Sequence, residues 1–162
     1  MNSEELFARW YPHAIRIAWR IAGERGRAEE IAADCVWKLA RQNLTQEAEI
    51  RAWLSRVVTR AALNEIRSGS RRTRYERLSA PASATARTPL DDLIASERQQ
   101  QVREVLRDLP PEQAELLLLR SAGLSYRELA AALELNPASI GTLIARAQKA
   151  FEKQYRGRYG NR

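Results

Sequence analysis

Residues 123–151 read GLSYRELAAALELNPASIGTLIARAQKAF, and this stretch carries the strongest structural signal in the chain. Ser125 and Glu128 have the spacing of a capping box, which predicts that a short helix begins directly after Ser125. A short turn follows, and Asn136 and Pro137 then supply a preferred N-cap residue and a preferred first helical residue. Two helices joined by a three-residue turn are typical of a helix-turn-helix.

The second of these helices, predicted at 137–155, has one apolar face and one cationic face. Counted at about 100° per residue, its apolar side chains fall in one sector: Ile140, Ile144, Ala147 and Phe151. Such a helix can dock on a core with one face and enter the major groove of DNA with the other. The alternative is an ordinary amphipathic helix with a solvated basic face. The predicted DNA-binding residues of the polar face are Ser139, Thr142, Arg146, Lys149 and Lys153.

A second basic surface is predicted on a helix at 48–68. Between residues 51 and 77 the chain has eight arginines, two acids and no lysine. Arginine binds phosphate through a planar fork and stacks on exposed bases, so we expect these side chains to point outward and bind nucleic acid. The alternative is a solvated helix face, as charge runs often are. Counted at about 100° per residue, these side chains share one face of the helix or continue it just beyond the helix end. This set, called here the arginine ridge, consists of Arg56, Arg60, Asn64, Arg67, Arg71 and Arg72.

The rest of the chain has helical periodicity, and strand alternation is almost absent. Residues 79–89, SAPASATARTP, carry no bulky apolar side chain, which predicts a flexible linker. We therefore expect an all-α protein of two separately folded small domains, at 1–77 and 93–162, joined by a linker at 78–92. The helix-turn-helix lies in the second domain. Predicted helices span 3–22, 28–41, 48–68, 91–108, 112–122, 125–134 and 137–155.

Composition narrows the class of protein. The 162 residues carry a net charge of +7, which favours a polyanionic partner such as nucleic acid. A single cysteine, Cys35, and a single histidine, His13, exclude an internal disulfide and a Cys/His zinc site. Without a glycine-rich phosphate loop or an acid/base pair near His13, we expect no enzyme activity and no cofactor. The chain shows no signal peptide and no apolar run long enough to span a membrane, so we expect a cytoplasmic protein without membrane insertion.

Several segments, taken in order, resemble the extracytoplasmic-function (ECF) sigma factors of bacterial RNA polymerase, members of the sigma-70 family. The similarity covers nearly the whole chain. The matching segments are AEEIAADCV at 28–36 (family DAEDLVQETF), IRAWLSRV at 50–57 (FRAWLYRI), ALNEIR at 62–67 (LAIDELR), Leu109-Pro110 with GLSYRELA at 123–130 (LP…GLSYEEIA), and ARA at 145–147 (HRAR).

The resemblance implies a DNA-binding initiation factor that directs core RNA polymerase to promoter DNA and helps to melt it. The helix at 28–41 would bind polymerase. The arginine ridge would hold the −10 element as a single strand, and residues 137–153 would bind the −35 element. Many family members are held inactive by an anti-sigma factor, and whether this chain has such a partner stays open. The polymerase-binding residues implied in this way are Glu30, Asp34, Lys38 and Arg41.

The chain departs from the family pattern at several positions. Arg60 and Asn64 stand where the family commonly has Asn and Asp. Residues 140–144, IGTLI with Gly141 and Thr142, replace the family's VKSRL, so a lysine and an arginine are lost in that segment. Glu134 occupies the place of a common turn glycine, so we expect it in a left-handed backbone conformation.

Other classes of function remain open at this point. One is a helix-turn-helix regulator that binds duplex DNA tightly without polymerase, usually as a dimer. Another is a helical scaffold whose basic surface binds an acidic membrane, which would leave the apolar face of 48–68 exposed. A nucleic-acid-modifying enzyme is disfavoured for want of a metal cluster or a phosphate loop.

Overall fold

The computed structural model describes residues 2–68 and 89–160, and the side chains of residues 2–68 and 96–160. Every regular element in these residues is helical, which confirms the all-α prediction. A 3₁₀ turn, Pro137–Ser139, precedes the last helix. In chain order the α-helices are α1 (Ser3–Ala22), α2 (Arg25–Leu39), α3 (Glu47–Ser68), α4 (Pro89–Asp108), α5 (Pro111–Ser121), α6 (Tyr126–Leu133) and α7 (Ile140–Tyr159).

The predicted helix caps are present. The Glu128 N–H donates to Ser125 Oγ over 3.1 Å, and the Ser125 N–H donates to Glu128 Oε1 over 3.0 Å. This reciprocal pair satisfies two backbone donors that the first turn of α6 leaves without intrahelical partners. At the start of the 3₁₀ turn, Asn136 Oδ1 accepts from the Ala138 N–H over 3.0 Å. The capping pattern therefore predicted both helix starts of the helix-turn-helix.

The corner between α6 and α7 depends on an unusual backbone conformation. Glu134 has φ 56° and ψ 46°, in the left-handed region, as the family resemblance implies for a place where a turn glycine is common. Among the described residues it is the only non-glycine residue with a positive φ. The Leu135 N–H then donates to the Ala130 carbonyl over 2.9 Å, which closes the end of α6. This corner directs α7 away from the axis of α6.

Three predicted helices have bounds that differ from the structure by two residues or more. Helix α2 spans Arg25–Leu39 rather than 28–41. Helix α7 begins at Ile140, after the 3₁₀ turn, and ends at Tyr159 rather than at residue 155. Helix α4 begins at Pro89, inside the linker predicted at 78–92, because proline suits a first helical position. The remainder of that linker, at 78–88, lies outside the described residues.

Helices α1, α2 and α3, called here the N-terminal domain, share one core. Its members come from the apolar faces that the periodicity predicts, and Cys35 is among them. Burial raises the pKa of the Cys35 thiol to about 11, which leaves the thiol protonated at neutral pH. The buried apolar side chains include Trp10, Ala14, Ala18, Ile21, Ala28, Cys35, Val36, Leu39, Leu54 and Val58.

Helices α4 to α7, called here the C-terminal domain, contain the helix-turn-helix. Three of the four residues predicted for the apolar face of α7 are buried, and Phe151 is partly buried. They pack beneath α5 and α6, so α7 lies with its other face to solvent. The main buried members of this core are Leu116, Leu119, Leu124, Leu129, Ile140, Ile144 and Ala147.

The two domains are packed together, contrary to the expectation of separately folded modules. Ala52 of α3 lies in the core that Leu119 and Ile140 form. Leu63, 2% exposed, packs with Val105 and neighbouring side chains of α4. Helix α3 therefore has two apolar faces, one packed in the N-terminal domain and one packed against the C-terminal domain.

Candidate nucleic-acid interface

The residues predicted to bind duplex DNA lie on the solvent face of α7 and, for Ser139, at the end of the 3₁₀ turn before it. Ser139, Thr142, Arg146, Lys149 and Lys153 are all exposed. Three of the five side chains are cationic, and no salt bridge engages them within the described part of the chain. The face is thus available to phosphates and base edges, as a helix that enters the major groove requires.

Helix α6 adds a residue that the sequence analysis did not select. Tyr126 is 45% exposed and lies beside the first turn of α7, where a Cβ on Gly141 would be 3.6 Å from its ring. The Arg120 guanidinium lies over the same ring, 5.0 Å from its centroid. A cation over an aromatic face is attracted by the ring quadrupole, which holds this exposed ring in place. The capping pattern marks the helix start but not the exposure of its first residue.

Three members of the arginine ridge of α3 contact the C-terminal domain. The prediction that they point outward is wrong for Arg56 and Arg67, which are partly buried, whereas Arg60 is exposed. Arg56 Nη1 donates to the Ala132 carbonyl over 3.2 Å. Arg60 Nε donates to Glu115 Oε1 over 2.8 Å. Arg67 Nη2 donates to the Leu109 carbonyl over 2.8 Å. All of these acceptors belong to the C-terminal domain. Asn64 remains exposed, and Arg71 and Arg72 lie outside the described residues.

The physical reason lies in the acceptors. Ala132 is the penultimate residue of α6, and Leu109 directly follows α4. The last carbonyls of a helix have no intrahelical donor and carry the negative end of the helix dipole. Guanidinium groups satisfy such carbonyls well, which explains why Arg56 and Arg67 turn toward the C-terminal domain in this conformation.

Two further arginines cross the boundary in the same manner. Arg20 of α1 donates to the Ser121 carbonyl at the end of α5 over 2.8 Å and to its hydroxyl over 3.1 Å. In the opposite direction, Arg103 of α4 donates to the Ile21 carbonyl near the end of α1 over 2.9 Å. Four helix ends are therefore capped by arginines of the other domain.

A histidine lies near this boundary. His13 Nε2 is 2.9 Å from Ser55 Oγ of α3. Burial, aided by the nearby charges of Arg51 and Arg16, lowers the pKa of His13 to about 4, so the ring is neutral at neutral pH. On the C-terminal side, hydrogen bonding from the Ser125 backbone holds the pKa of Glu128 below its usual value. The Glu128 carboxylate lies 3.8 Å from Arg51 Nε, which adds an ion pair between the domains.

The third predicted surface, on α2, is open to solvent. Its four predicted residues are exposed: Glu30, Asp34 and Lys38 lie on α2, and Arg41 lies in the turn that follows it. Asp34 pairs with Lys38 over 3.5 Å. Trp37, which the sequence analysis did not select, is 56% exposed among them. The spacing i, i+3 and i+4 could have found it, because Trp37 follows Asp34 by three residues and precedes Arg41 by four.

Metal and membrane sites receive no support from the described residues. Within 2–68 and 89–160, no group of three or more His, Cys, Asp or Glu side chains is arranged to hold a metal ion. Across the same residues, none of the helices combines the length and apolar character that a bilayer crossing requires.

Comparison with known proteins gives matches along most of the chain. Residues 6–72 match the family model for sigma-70 region 2, and residues 99–151 match that for sigma-70 region 4. The chain is 30% identical over 149 residues to the ECF RNA polymerase sigma factor SigJ of Mycobacterium tuberculosis (strain ATCC 25618 / H37Rv), covering 88% of this chain and 47% of that protein. The chain thus spans about half the length of this curated relative.

A solved structure is similar in fold. It is the co-crystal structure of the sigma factor RpoE in complex with the anti-sigma factor NepR from Bartonella quintana. The TM-score is 0.55 at 18% sequence identity, and the match covers 93% of this chain and 94% of the other. The likeness therefore extends over both helical domains.

Proposed function

Because the chain belongs to the sigma-70 family, in its ECF group, we propose that it directs core RNA polymerase to promoters and helps to open them. The observation that carries this proposal is the order of two distinct cationic helices along one chain. Helix α3, rich in arginine, lies within the region 2 match, and α7, with its exposed cationic face, begins within the region 4 match. A regulator that binds duplex DNA alone has no need of the first of these helices.

In this proposal α7 reads the −35 element as a duplex. Arg146, Lys149 and Lys153 hold the backbone and bases of the major groove, and Ser139 and Thr142 lie near the helix start, where base edges are closest. Arginine and lysine contacts to phosphate make binding steeply dependent on salt. The exposure of all five side chains supports this role.

The −10 element is proposed to bind along α3. Arg56, Arg60, Asn64 and Arg67, continued by Arg71 and Arg72, would hold unpaired bases and the phosphates between them. Three of these arginines contact the C-terminal domain in the present conformation. The role therefore requires that the two domains separate when the promoter complex forms.

The polymerase is proposed to bind the exposed face of α2, through Glu30, Asp34, Lys38 and Arg41. Trp37 at the centre of that face supplies the aromatic anchor that energetic centres of protein interfaces commonly contain. The chemistry of RNA synthesis then belongs to the polymerase, and the chain itself contributes no catalytic group. The cytoplasmic location and an anti-sigma partner remain predictions of the same proposal.

The direct test is reconstitution with core RNA polymerase and run-off transcription from the gene's own upstream region. We expect transcripts only when the chain is present, and Arg146→Glu to reduce promoter capture severely. Arg25→Glu is the matched control, because it makes the same charge change at an exposed site far from α7. Tight duplex binding by the chain alone, without stimulation by polymerase, would favour the regulator instead.

A further inference from the structure

A cleft of about 430 Å³ is lined by the second half of α1, by α4 and by the end of α5. Small-molecule sites commonly have volumes of roughly 300–1,000 Å³ and often lie between domains. We propose that this cleft binds a small organic anion, in which one carboxylate-type group is attached to an apolar body. None of the residues proposed to bind DNA or polymerase lines the cleft, so the inference goes beyond the proposed function.

The charged part of the lining is entirely cationic. Arg20, Arg98 and Arg103 contribute to it, and no acid is among the described residues that line the cleft. Arg98 is exposed and makes no hydrogen bond or ion pair within the described part of the chain. Arg20 donates to the carbonyl and the hydroxyl of Ser121, which are neutral acceptors that leave its positive charge uncompensated. An anion in the cleft is therefore attracted by several guanidinium groups, whose planar fork suits a carboxylate.

A glycine allows one of these arginines to enter the cleft. Gly23 ends α1 in the left-handed conformation, with φ 71°, and a Cβ at this position would overlap the Arg103 guanidinium. Arg103 Nε donates to the Ile21 carbonyl over 2.9 Å, which holds the guanidinium against the end of α1. The position of this cation is thus fixed before a ligand arrives, and a group ordered in advance lowers the cost of binding.

The rest of the lining is mostly apolar. Ile17 and Leu106 are buried, Val102 and Leu118 are partly buried, and Trp19 is 45% exposed. An inorganic anion would leave these apolar surfaces in contact with water. A neutral apolar molecule would remove water from the arginines without supplying a counter-charge. A molecule that joins an anionic group to an apolar body satisfies both parts of the lining.

The first experiment compares ligands on the full chain. The probe is anilinonaphthalene sulfonate, an apolar fluorophore with one negative charge, and its binding is followed by energy transfer from tryptophan. We expect saturable binding and displacement of the probe by decanoate. Decanol has the chain without the charge, and acetate has the charge without the chain. Each should displace the probe at least about tenfold less effectively than decanoate, because each lacks one of the two interactions.

The second experiment changes the cleft. Arg98→Gln should weaken decanoate binding about tenfold, as loss of a hydrogen bond to a charged group does. Arg127→Gln is the matched control, because it makes the same charge change at an exposed position of α6 outside the cleft. Val102→Phe should weaken binding by about tenfold or more, because the larger ring occupies space that the ligand needs. Val57→Phe makes the same change at a partly buried valine of α3 that does not line the cleft.

The outcomes distinguish this site from other binding. Equal displacement by decanoate and decanol, or unchanged affinity in Arg98→Gln, would overturn the anion site. Unchanged affinity in Val102→Phe, with the helix content retained by circular dichroism, would place the ligand elsewhere and overturn it as well. Arg98→Gln decides the question alone if Val102→Phe loses helix content. Failure of transcription with core polymerase, together with decanoate binding that Arg98→Gln weakens, would overturn the initiation role and leave the anion site in place.

Discussion

Leu63→Ala tests the packing of the two domains directly. Leu63 is 2% exposed, and the buried side chains around it, Val105, Leu106, Leu109 and Ala114, all belong to the C-terminal domain. The substitution removes three carbons, worth about 0.8 kcal/mol each in transfer free energy. The unfilled cavity raises the total to about 3 kcal/mol, within the range of leucine-to-alanine changes in protein cores.

The assay is urea denaturation followed by circular dichroism, with the free energy of unfolding extrapolated to water. Leu54→Ala is the positive control, because Leu54 is fully buried within the N-terminal domain whether or not the domains touch. Leu135→Ala is the negative control, since Leu135 is 39% exposed and should lose less than about 0.5 kcal/mol. A loss below about 1 kcal/mol for Leu63→Ala, with Leu54→Ala behaving as expected, would refute the packed arrangement.

Three other predictions concern the polymerase surface, the buried histidine and the helix cap. Trp37→Ala should weaken binding to core polymerase by about tenfold or more, as loss of an aromatic anchor does, measured by competition for core enzyme; Trp19→Ala, which removes another exposed tryptophan, is the control. The pKa of His13 in the folded chain, about 4, lies below its ordinary value of 6.5, so the unfolded chain binds more protons at pH values between these two. The free energy of unfolding should therefore rise with pH across that window, by roughly 1–2 kcal/mol after allowance for solvent screening. Above the window it should rise no further on account of His13. Denaturant midpoints from pH 4 to 7 measure this rise, which His13→Gln should flatten; an equal slope in that variant would assign the effect elsewhere. Ser125→Ala should lower the free energy of unfolding by about 1 kcal/mol through loss of the α6 cap, and Ser125→Thr should retain most of it.

Local chemistry made the helices and their ends predictable. Caps such as Ser125 with Glu128 act within a few residues, so spacing alone identifies them. The apolar face of α7 was predictable for the same reason, because Ile140, Ile144 and Ala147 recur at helical intervals. The left-handed conformation of Glu134, in contrast, was expected from the family resemblance, because a turn glycine is common at this place.

The direction of the arginine ridge was not predictable by the same means. A helical wheel assigns polar residues to solvent, yet Ser55 and Thr59 of α3 are fully buried and Arg56 is partly so. The acceptors for Arg56 and Arg67 are carbonyl oxygens, and every residue has one. Packing between residues far apart in the sequence decides which carbonyl oxygens face an arginine. The periodicity of α3 therefore cannot predict these contacts.

Most of the acceptors between the two domains are main-chain oxygens, so the packing of the domains depends little on which side chains those acceptor residues carry. Arg20, Arg56, Arg67 and Arg103 each reach a peptide oxygen, so the recognised positions can exchange their side chains without abolishing the bond. Only the arginines that donate these hydrogen bonds need to be kept in related chains. Correlated substitution, the usual trace of two touching residues in a set of homologues, should therefore be weak across this boundary, apart from the pair Arg60 and Glu115.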